Sequence, residues 1–404
     1  MDLVIATGIE CSAPLIVGRE RRDELLLTQH LDRFVEDFDA VRAFGIRMLR
    51  YGIPFHRVAQ QPEALDWAWT DEVMEAMRER DIEPVIDLLH FGAPDRFTGF
   101  DDPGLRAAYL EYVGAFVERY PWVRWYTPVN EPGITALFSA RFGWWNERRS
   151  TDRAFVEALD TLVSCAIDAV AIVREARPDA RFLHNEACES FRPADPTDPR
   201  SVAAAAFLQQ RTWLSLDLTL GHPVDPLMRD WLETAGMSSH RLAWFETWGS
   251  SEQTVLGLDY YERNEHVVAA DGTVWPARRL GYGALAADYH DRYGLPFWLA
   301  ETNATSDHAV AWLDEMWTDT VALRDAGRPA VGLCWYSLTD QVDWDTSLRE
   351  PNDHVDSLGL IDLDRRERPV AARFRRIVAE ASDMVRGPVV VPLEVVPSDD
   401  AEAA

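Results

Sequence analysis

The sequence predicts a single (β/α)8 barrel of the α/β class, and three observations support this prediction. Eight short segments rich in β-branched and aromatic residues alternate with segments whose apolar residues recur at helical spacing. Several of the eight are continuously apolar, as expected of parallel strands that are buried on both faces. A chain of 404 residues with 47% apolar residues can fill one such barrel, because α/β barrels often exceed the usual length of a single domain.

The eight predicted strands are spread along the whole chain. In order, they are Leu3–Glu10, Ile46–Pro54, Glu83–Phe91, Val123–Glu131, Ala180–Ala187, Val255–Tyr261, Pro296–Asn303 and Val331–Asp340. Helical patterns lie between them, and the pattern that follows the first strand ends at Gly45, a natural helix stop. The order strand, helix, strand, helix is that of a (β/α)8 barrel.

Two segments fall outside the repeated strand–helix pattern. The longest connection, residues 193–254, is rich in tryptophan, and we expect it to add helices over the barrel mouth. The chain ends in the small and acidic stretch VPSDDAEAA, which is typical of disorder. We therefore expect a catalytic barrel over residues 1–385 and a disordered extension over residues 386–404.

The charge of the chain limits its partners and its chemistry. The net charge is −28, which argues against nucleic acids and anionic membrane surfaces, because basic patches supply the affinity for both. All 40 basic residues are arginine. Without a lysine side chain, the protein can use neither a Schiff-base mechanism nor the Gly-Lys pair of a phosphate-binding loop.

The cysteines and the apolar runs bear on cofactors and compartment. Cys11, Cys165, Cys188 and Cys334 are far apart and form no CxxC pair, so neither a zinc cluster nor a disulfide framework is indicated. The N-terminal stretch lacks the pattern of a signal peptide, and no apolar run is long enough to span a bilayer. We expect a cytoplasmic protein that needs no cofactor and no metal.

Polar and aromatic side chains follow the predicted strands at their carboxyl ends. In barrels of this kind the carboxyl ends of the strands carry the active site. A single polar residue there is most often part of the core or the rim, but the whole set indicates one functional mouth. The residues are Arg50, His90, Asn130, Glu131, Asn185, Glu186, Tyr260, Tyr261, Glu301, Trp335 and Asp343.

Two glutamates indicate the chemistry of this mouth. Glu131 ends the fourth predicted strand and Glu301 ends the seventh, so they face each other across the barrel. Glycoside hydrolysis uses two such carboxyl groups, about 5–5.5 Å apart in retaining enzymes and about 6.5–9.5 Å apart in inverting enzymes. One must hold a proton and the other must be ionised. Arg50 is placed to keep one of them charged.

The neighbouring residues Asn130 and Glu131 set a geometric requirement. Successive side chains of a strand point to opposite faces. Both can reach the mouth only if the backbone departs from regular strand geometry at this point, so we expect a bulge or an unusual conformation there. The 16 tryptophans, including Trp144, Trp145, Trp335 and Trp344 near strand ends, offer indole faces on which sugar rings can stack.

Several stretches resemble glycoside hydrolase family 1, the β-glucosidase family of retaining (β/α)8 enzymes. The stretch YTPVNEP is similar to the family's Thr-x-Asn-Glu-Pro signature. In chain order, the other similar stretches are LRYGIPFHRV, DIEPVIDLLHFGAPDRF, VLGLDYY, WYSLTDQVDW and SLGLIDLDRRERPVAARFRRI. The resemblance covers nearly the whole chain and implies the same barrel fold.

The resemblance also implies roles for individual residues. Glu131 would be the acid/base and Glu301 the nucleophile. The substrate-binding residues would be Arg50, His90, Asn130 (toward the 2-hydroxyl), Tyr261 as the partner of the nucleophile, Trp335 behind the sugar, and Trp344.

The chain departs from the family pattern at several positions. Glu10 is the nearest candidate for the family's first-strand glutamine, and Asp343 stands where the second sugar-binding acid is usually glutamate. Asp259 replaces an asparagine, and the nucleophile segment reads LAETNATSD instead of carrying Thr-Glu-Asn-Gly. The resemblance thus implies preserved cleavage machinery with an altered sugar pocket.

We therefore expect a retaining β-glycosidase that acts on a small carbohydrate or glycoside. Two alternatives remain open from the sequence. One is a transglycosidase that passes the same covalent intermediate to another alcohol, favoured by an apolar acceptor side built by Trp144 and Trp145. The other is a non-catalytic carbohydrate-binding barrel, against which the presence of both glutamates argues.

Overall fold

The computed structural model describes residues 3–386, and its central element is a closed barrel of eight parallel strands. The prediction of a (β/α)8 barrel is confirmed, with every predicted strand present and most of them shorter than predicted. The barrel strands, numbered here from first to eighth, are Val4–Ile9, Met48–Gly52, Glu83–Asp87, Trp125–Thr127, Arg181–Ala187, Thr254–Asp259, Phe297–Thr302 and Ala330–Trp335.

Each barrel strand pairs with its two sequence neighbours, and the eighth closes onto the first. Val4 is in register with Gly332 on the eighth strand, and Gly8 with Arg50 on the second. The aromatic ring of Tyr336 reaches into the barrel from the end of the eighth strand. A Cβ atom at position 8 would lie 2.3 Å from that ring, so glycine is required there.

An outer layer of helices covers the barrel. Thr151 caps the longest of them by accepting a hydrogen bond from the backbone N–H of Ala154. The helices are Glu24–Leu27, His30–Ala43, Phe55–Val58, Ala68–Glu79, Leu105–Arg119, Pro132–Ala136, Asp152–Ala176, Pro199–Leu220, Pro226–Thr234, Ser239–Trp248, Tyr282–Tyr293, Ala309–Asp325 and Pro369–Arg386, with a π-helical turn at Leu137–Arg141 and 3₁₀ turns at Val17–Arg19 and Trp344–Thr346.

The long connection before the sixth barrel strand contains three helices, as expected from its sequence: Pro199–Leu220, Pro226–Thr234 and Ser239–Trp248. The first of them packs against the helix Asp152–Ala176. None of the residues in these three helices lines the cavity at the barrel mouth. The tryptophans of this segment therefore belong to the outer layer and not to the mouth.

Two small sheets were not expected from the sequence. One has three strands, Ser190–Pro193, Glu265–Val268 and Val274–Pro276, and the other pairs Gln341–Val342 with Val355–Asp356. Within residues 3–386 no helix is both long and apolar enough to cross a membrane. The expected disordered extension lies almost wholly outside the described residues, and the predicted domain boundary stays a prediction.

Candidate active site

The carboxyl ends of the barrel strands surround a cavity of about 390 Å³. Six of the ten residues expected to act in catalysis or substrate binding line this cavity: Glu10, His90, Glu131, Tyr261, Glu301 and Trp344. The other four, Arg50, Asn130, Trp335 and Asp343, are fully buried behind the lining. The predicted mouth is thus a real concave site, with some of its predicted members one layer deeper than expected.

Glu301 ends the seventh strand and is held by two donors. An Arg50 guanidinium N–H lies 2.7 Å from Glu301 Oε1, and the Tyr261 hydroxyl donates to Oε2 at 2.9 Å. Burial and the neighbouring Glu301 raise the pKa of Tyr261 well above its ordinary value, which keeps its proton available for this hydrogen bond. A cation and a hydroxyl donor together stabilise a negative charge on Glu301.

Glu131 follows the fourth strand and has a different environment. Its backbone is left-handed, with φ of 39° and ψ of 63°, and the helix Pro132–Ala136 starts directly after it. This is the departure from strand geometry that the Asn130–Glu131 pair was expected to require. No described residue donates a hydrogen bond to its carboxyl group. Burial and the negative neighbours Asp259 and Glu301 raise the pKa of Glu131 well above its ordinary value.

Arg50 connects the two sides of the site. The side chain is fully buried and also donates to Asp87 Oδ2 at 2.8 Å and to Asn130 Oδ1 at 2.9 Å. Asp87 is buried as well, which by itself disfavours its charge, but the guanidinium outweighs this and lowers the pKa of Asp87. One guanidinium thus holds side chains from the third strand, the fourth strand and the seventh strand in a fixed arrangement.

Three carboxyl groups meet beside this guanidinium. One oxygen from each of Glu131, Asp259 and Glu301 lies within 4.8 Å of the other two. Asp259 ends the sixth strand, and its Oδ1 lies 3.9 Å from the nearest Arg50 nitrogen. Burial and the charge of Glu301 raise the pKa of Asp259 well above its ordinary value. The sequence had marked Asp259 only as a departure from the family's asparagine.

His90 and Glu10 form the floor of the cavity on the side of the first and third strands. His90 Nδ1 lies 3.1 Å from Asp87 Oδ2, and its Nε2 lies 3.1 Å from Asn130 Nδ2. Asn130 Oδ1 accepts from Arg50, so its amide N–H groups face His90 Nε2, and His90 Nδ1 donates to Asp87. Glu10 accepts from Ser12 N at 2.8 Å, and burial raises the pKa of Glu10.

Trp335 is not placed in the cavity as the resemblance implied. Its indole N–H donates to the backbone oxygen of Leu358, and its ring packs in the outer core. The next residue, Tyr336, instead points inward, with its ring stacked 6.2 Å from that of His90. Successive strand residues face opposite sides, so a shift of one position exchanges core and barrel interior.

Asp343 is also turned away from the cavity. Its carboxylate forms an ion pair with Arg22 at 2.5 Å and accepts from the backbone N–H of His354 at 2.9 Å. The backbone at Asp343 is left-handed, with φ of 62°, and this directs the side chain toward Arg22. Gln341 and Asp345, two residues to either side, line the cavity instead.

The two tryptophans expected on an acceptor side also lie outside the lining. Trp145 is fully buried and donates to the backbone oxygen of Ser347. Trp144 packs against Phe138 with ring centroids 4.6 Å apart, and it is Phe138 that lines the cavity.

Other cavity residues were missed by the sequence analysis. Asn303 and Gln341 line it, and Asp87 holds Arg50 and His90 from behind. Asp87 is the last residue of the third strand, so a shorter predicted strand would have marked it as a strand-end acid. Asn303 directly follows the seventh strand but was not singled out, and Gln341 lies in a strand of only two residues, too short to show a periodic pattern.

Comparison with known sequences points to one family. The model of the family described as Glycosyl hydrolase family 1 matches residues 19–263, more than half of the chain. "Putative beta-glucosidase 17" of Oryza sativa subsp. japonica is 26% identical over 154 residues, covering 34% of this chain and 50% of that protein. "Beta-glucosidase 25" of the same organism is 21% identical over 225 residues, 49% of this chain and 43% of that protein. The chain spans half or less of the length of these curated relatives.

Comparison with solved structures gives the same fold over nearly the whole chain. The family 1 β-glucosidase from Thermotoga maritima matches with a TM-score of 0.78 at 15% identity, covering 94% of this chain and 98% of that one. Its complex with glucoimidazole matches equally well. With the family match over more than half of the sequence, the chain belongs to glycosyl hydrolase family 1.

Proposed function

We propose that this protein is a retaining β-glycosidase that hydrolyses β-glycosidic bonds by double displacement. The observation that carries the proposal is the unequal environment of two close carboxyl groups. Glu301 is bound by a guanidinium and a phenol, whereas burial and negative neighbours raise the pKa of Glu131. Their oxygens lie within 4.8 Å, which matches the roughly 5–5.5 Å of retaining enzymes better than the roughly 6.5–9.5 Å of inverting ones.

In the first step Glu131 gives its proton to the glycosidic oxygen while a Glu301 oxygen attacks the anomeric carbon. The bond from that carbon to the leaving oxygen breaks, the aglycone departs as an alcohol, and the sugar is left as an ester on Glu301. Arg50 and Tyr261 orient the attacking carboxylate. Because Asp87 and Asn130 hold the Arg50 guanidinium in place, the nucleophile is positioned before the substrate arrives.

In the second step Glu131, now ionised, takes a proton from a water molecule that attacks the same carbon. The ester bond breaks, Glu301 is regenerated as a carboxylate, and Glu131 again holds a proton. Two inversions at one carbon restore the original β configuration of the sugar.

For the sugar pocket, we assign the first contacts to Glu10 and His90, with Trp344 as the stacking surface. Asn130 was predicted to bind the 2-hydroxyl, but its amide is engaged by His90 and Arg50. A hydroxyl at that position therefore reaches His90 before Asn130. Trp335 and Asp343 have no direct part in this pocket. Gln341, two residues before Asp343, lines the cavity and supplies an amide in place of the Asp343 carboxylate.

The cytoplasm is the compartment that we propose for this activity. All four cysteines are free and buried. Free thiols are typical of proteins that work in a reducing compartment.

The proposed function is tested with a panel of nitrophenyl β-glycosides that includes glucosides, galactosides, fucosides, xylosides and uronides. We expect at least one to be cleaved, with the β anomer as the first product in a proton NMR time course. A 2-deoxy-2-fluoro glycoside of the preferred sugar should label Glu301, as found by mass spectrometry of the peptide. An α anomer as the first product, or a label on another residue, would refute the mechanism.

A further inference from the structure

Asp259 has an unusual position for a carboxylate. It is fully buried behind the cavity, at the end of the sixth barrel strand. Its Oδ2 accepts from Asn185 Nδ2 at 2.6 Å. Its Oδ1 has no hydrogen-bond partner among the described residues, although the Arg50 guanidinium lies 3.9 Å away. A buried and incompletely bonded acid this close to two catalytic glutamates requires an explanation.

The charges around Asp259 do not balance if every acid is ionised. Arg50 already bonds both Asp87 and Glu301. Asp259, 3.9 Å from the same guanidinium, and Glu131, which has an oxygen within 4.8 Å of an oxygen of Asp259 and of Glu301, add two further acids. The titratable and charged groups that face Asp259 from the neighbouring segments are Arg50, Glu131, Glu186, Cys188, Tyr261, Tyr282, Glu301 and Cys334, and His90 also faces Glu131. Arg50 is the only permanent cation among these groups. Like charges at such distances cannot all be present, so the cluster retains a proton near neutral pH.

The contacts favour one location for that proton. Asp259 lies 3.9 Å from Arg50 and accepts a hydrogen bond from Asn185, and both contacts stabilise a negative charge. Among the described residues, Glu131 has neither an ion pair with an arginine nor a hydrogen-bond donor, although the charge of His90 favours its ionised form. When the two acids compete, the negative charge therefore goes to Asp259 and the proton to Glu131.

We propose that Asp259 is a positioning residue which localises a proton on Glu131 by placing a negative charge beside it. This inference rests on the proposed function, in which Glu131 is the acid. Asp259 does not line the cavity and acts only through Glu131. The asparagine that the family usually carries has the same shape without the charge, so in this chain the aspartate adds a device that the family pattern lacks.

The test is the variant Asp259→Asn, followed by carbon NMR of protein labelled at the glutamate carboxyl carbons. The Glu131 resonance is assigned by its loss in Glu131→Gln. We expect the Glu131 titration to move to lower pH by roughly 2–3 units, as Coulomb interaction over 4.8 Å predicts for an effective dielectric constant near 20. The alkaline limb of kcat/KM should move in the same direction, and KM should change little.

The matched control is Asp217→Asn. Asp217 is also a buried aspartate bound by an arginine, Arg292, at 2.6 Å, but it lies on the outer helix Pro199–Leu220. The Asp217→Asn substitution should alter the stability of the protein and leave the pH of the Glu131 titration unchanged. An unchanged Glu131 titration in Asp259→Asn would overturn the proposal, because it would mean that Asp259 is uncharged in the wild type.

Two further measurements distinguish failure of this proposal from misfolding of the variant and from failure of the proposed function. If Asp259→Asn does not fold, the wild-type Glu131 resonance still decides, because it must show a second titration step from Asp259; a single step refutes the coupling. The NMR readout needs no substrate. If no glycoside is hydrolysed but the Glu131 titration shifts in Asp259→Asn, only the proposed function is rejected. If glycosides are hydrolysed but the Glu131 titration does not shift in Asp259→Asn, only the role of Asp259 is rejected.

Discussion

The ends of the fourth and seventh barrel strands carry the same residue type in opposite settings. Glu131 and Glu301 are nearly equally buried, with 8% and 5% of their surface exposed. Yet two donors hold Glu301, and none of the described residues donates to Glu131. Burial therefore does not decide which carboxyl group carries the proton. The donors and charges that neighbouring strands bring to each group decide it.

The difference begins in the backbone. Glu301 lies within the seventh strand, whose pairing shifts register on both sides between Leu299 and Thr302, and its side chain points toward Arg50 on the second strand. Glu131 sits in a left-handed turn before Pro132, which carries its side chain past the reach of that guanidinium. Substitutions on the two sides should therefore impair catalysis in different ways, and the largest effect should come from the carboxylate that Arg50 and Tyr261 bind.

The largest effect is expected for Glu301→Gln. An amide cannot form the glycosyl ester, so kcat should fall by about 10⁴-fold or more, as for loss of other nucleophiles. The measurement is turnover of the best nitrophenyl β-glycoside. Glu315→Gln, a surface glutamate paired with Arg279, is the control and should retain wild-type turnover. Substantial activity in Glu301→Gln would contradict the assignment of the nucleophile.

A smaller and substrate-dependent loss is expected for Glu131→Gln. Without the acid, glycosides with poor leaving groups should lose about 10²–10⁴-fold in kcat/KM. Dinitrophenyl glycosides, whose leaving group needs no proton, should lose much less in the same parameter. In the wild type, activity should fall at alkaline pH as Glu131 loses its proton at its raised pKa. An equal loss for both leaving groups, or an alkaline limb that survives in Glu131→Gln, would contradict the role of acid.

Tyr261→Phe should remove one of the two hydrogen bonds that hold the Glu301 carboxylate and leave the carboxylate itself in place. The lost hydrogen bond to Glu301 is charge-assisted, worth about 1.5–3 kcal/mol, so kcat should fall by roughly 10–150-fold. The matched control is Tyr260→Phe, whose hydroxyl donates to Glu265 at 2.9 Å outside the cavity. It should change the free energy of unfolding with little change in kcat. Equal kinetic losses in the two variants would show that the effect of Tyr261 is structural.

The smallest effect is expected on stability and concerns Glu24. Like Glu131, Glu24 is a buried carboxyl group with too few hydrogen-bond donors. It is fully buried, one oxygen lacks a partner among the described residues, and burial raises the pKa of Glu24 well above its ordinary value. A raised folded-state pKa means that the folded protein binds the proton more tightly. Its stabilising contribution is therefore present below the unfolded pKa, near 4.5, and is lost as pH rises toward the folded value.

The stability of Glu24→Gln relative to the wild type should accordingly increase as pH rises. We expect its free energy of unfolding, relative to wild type, to increase by about 1–3 kcal/mol between pH 5 and pH 8 in urea titrations. Glu315→Gln should follow the wild type over the same range. A constant difference between Glu24→Gln and wild type at both pH values would show that Glu24 is not protonated in the fold.

The barrel and the positions of Glu131 and Glu301 could be predicted from the sequence, because apolar runs mark buried strands and strand ends mark the mouth. The small sheet that contains Glu265–Val268 could not, since its short strands have no continuous apolar run. The departure from strand geometry at Glu131 also followed from a simple argument, that adjacent residues of a strand cannot both face one mouth.

The rest of the site depends on contacts between distant residues, which a single sequence does not record. Arg22 draws Asp343 away from the cavity although the two are far apart in the chain. Trp335 and Tyr336 differ by one position, and only the observed end of the strand decides which of them faces inward. The proximity of Asp259 to both glutamates likewise follows from how the fourth, sixth and seventh strands meet.

The arrangement around Arg50 separates two tasks. The residues around the reacting carboxyl groups lie at the ends of the second, third, fourth, sixth and seventh strands. Glu10 follows the first strand, and Gln341 and Trp344 follow the eighth. The first and eighth strands are neighbours in the barrel. Apart from His90, which follows the third strand, the proposed sugar contacts therefore form one contiguous sector. That sector can be redesigned, by directed evolution or loop exchange, to accept a new sugar while the reactive centre stays intact.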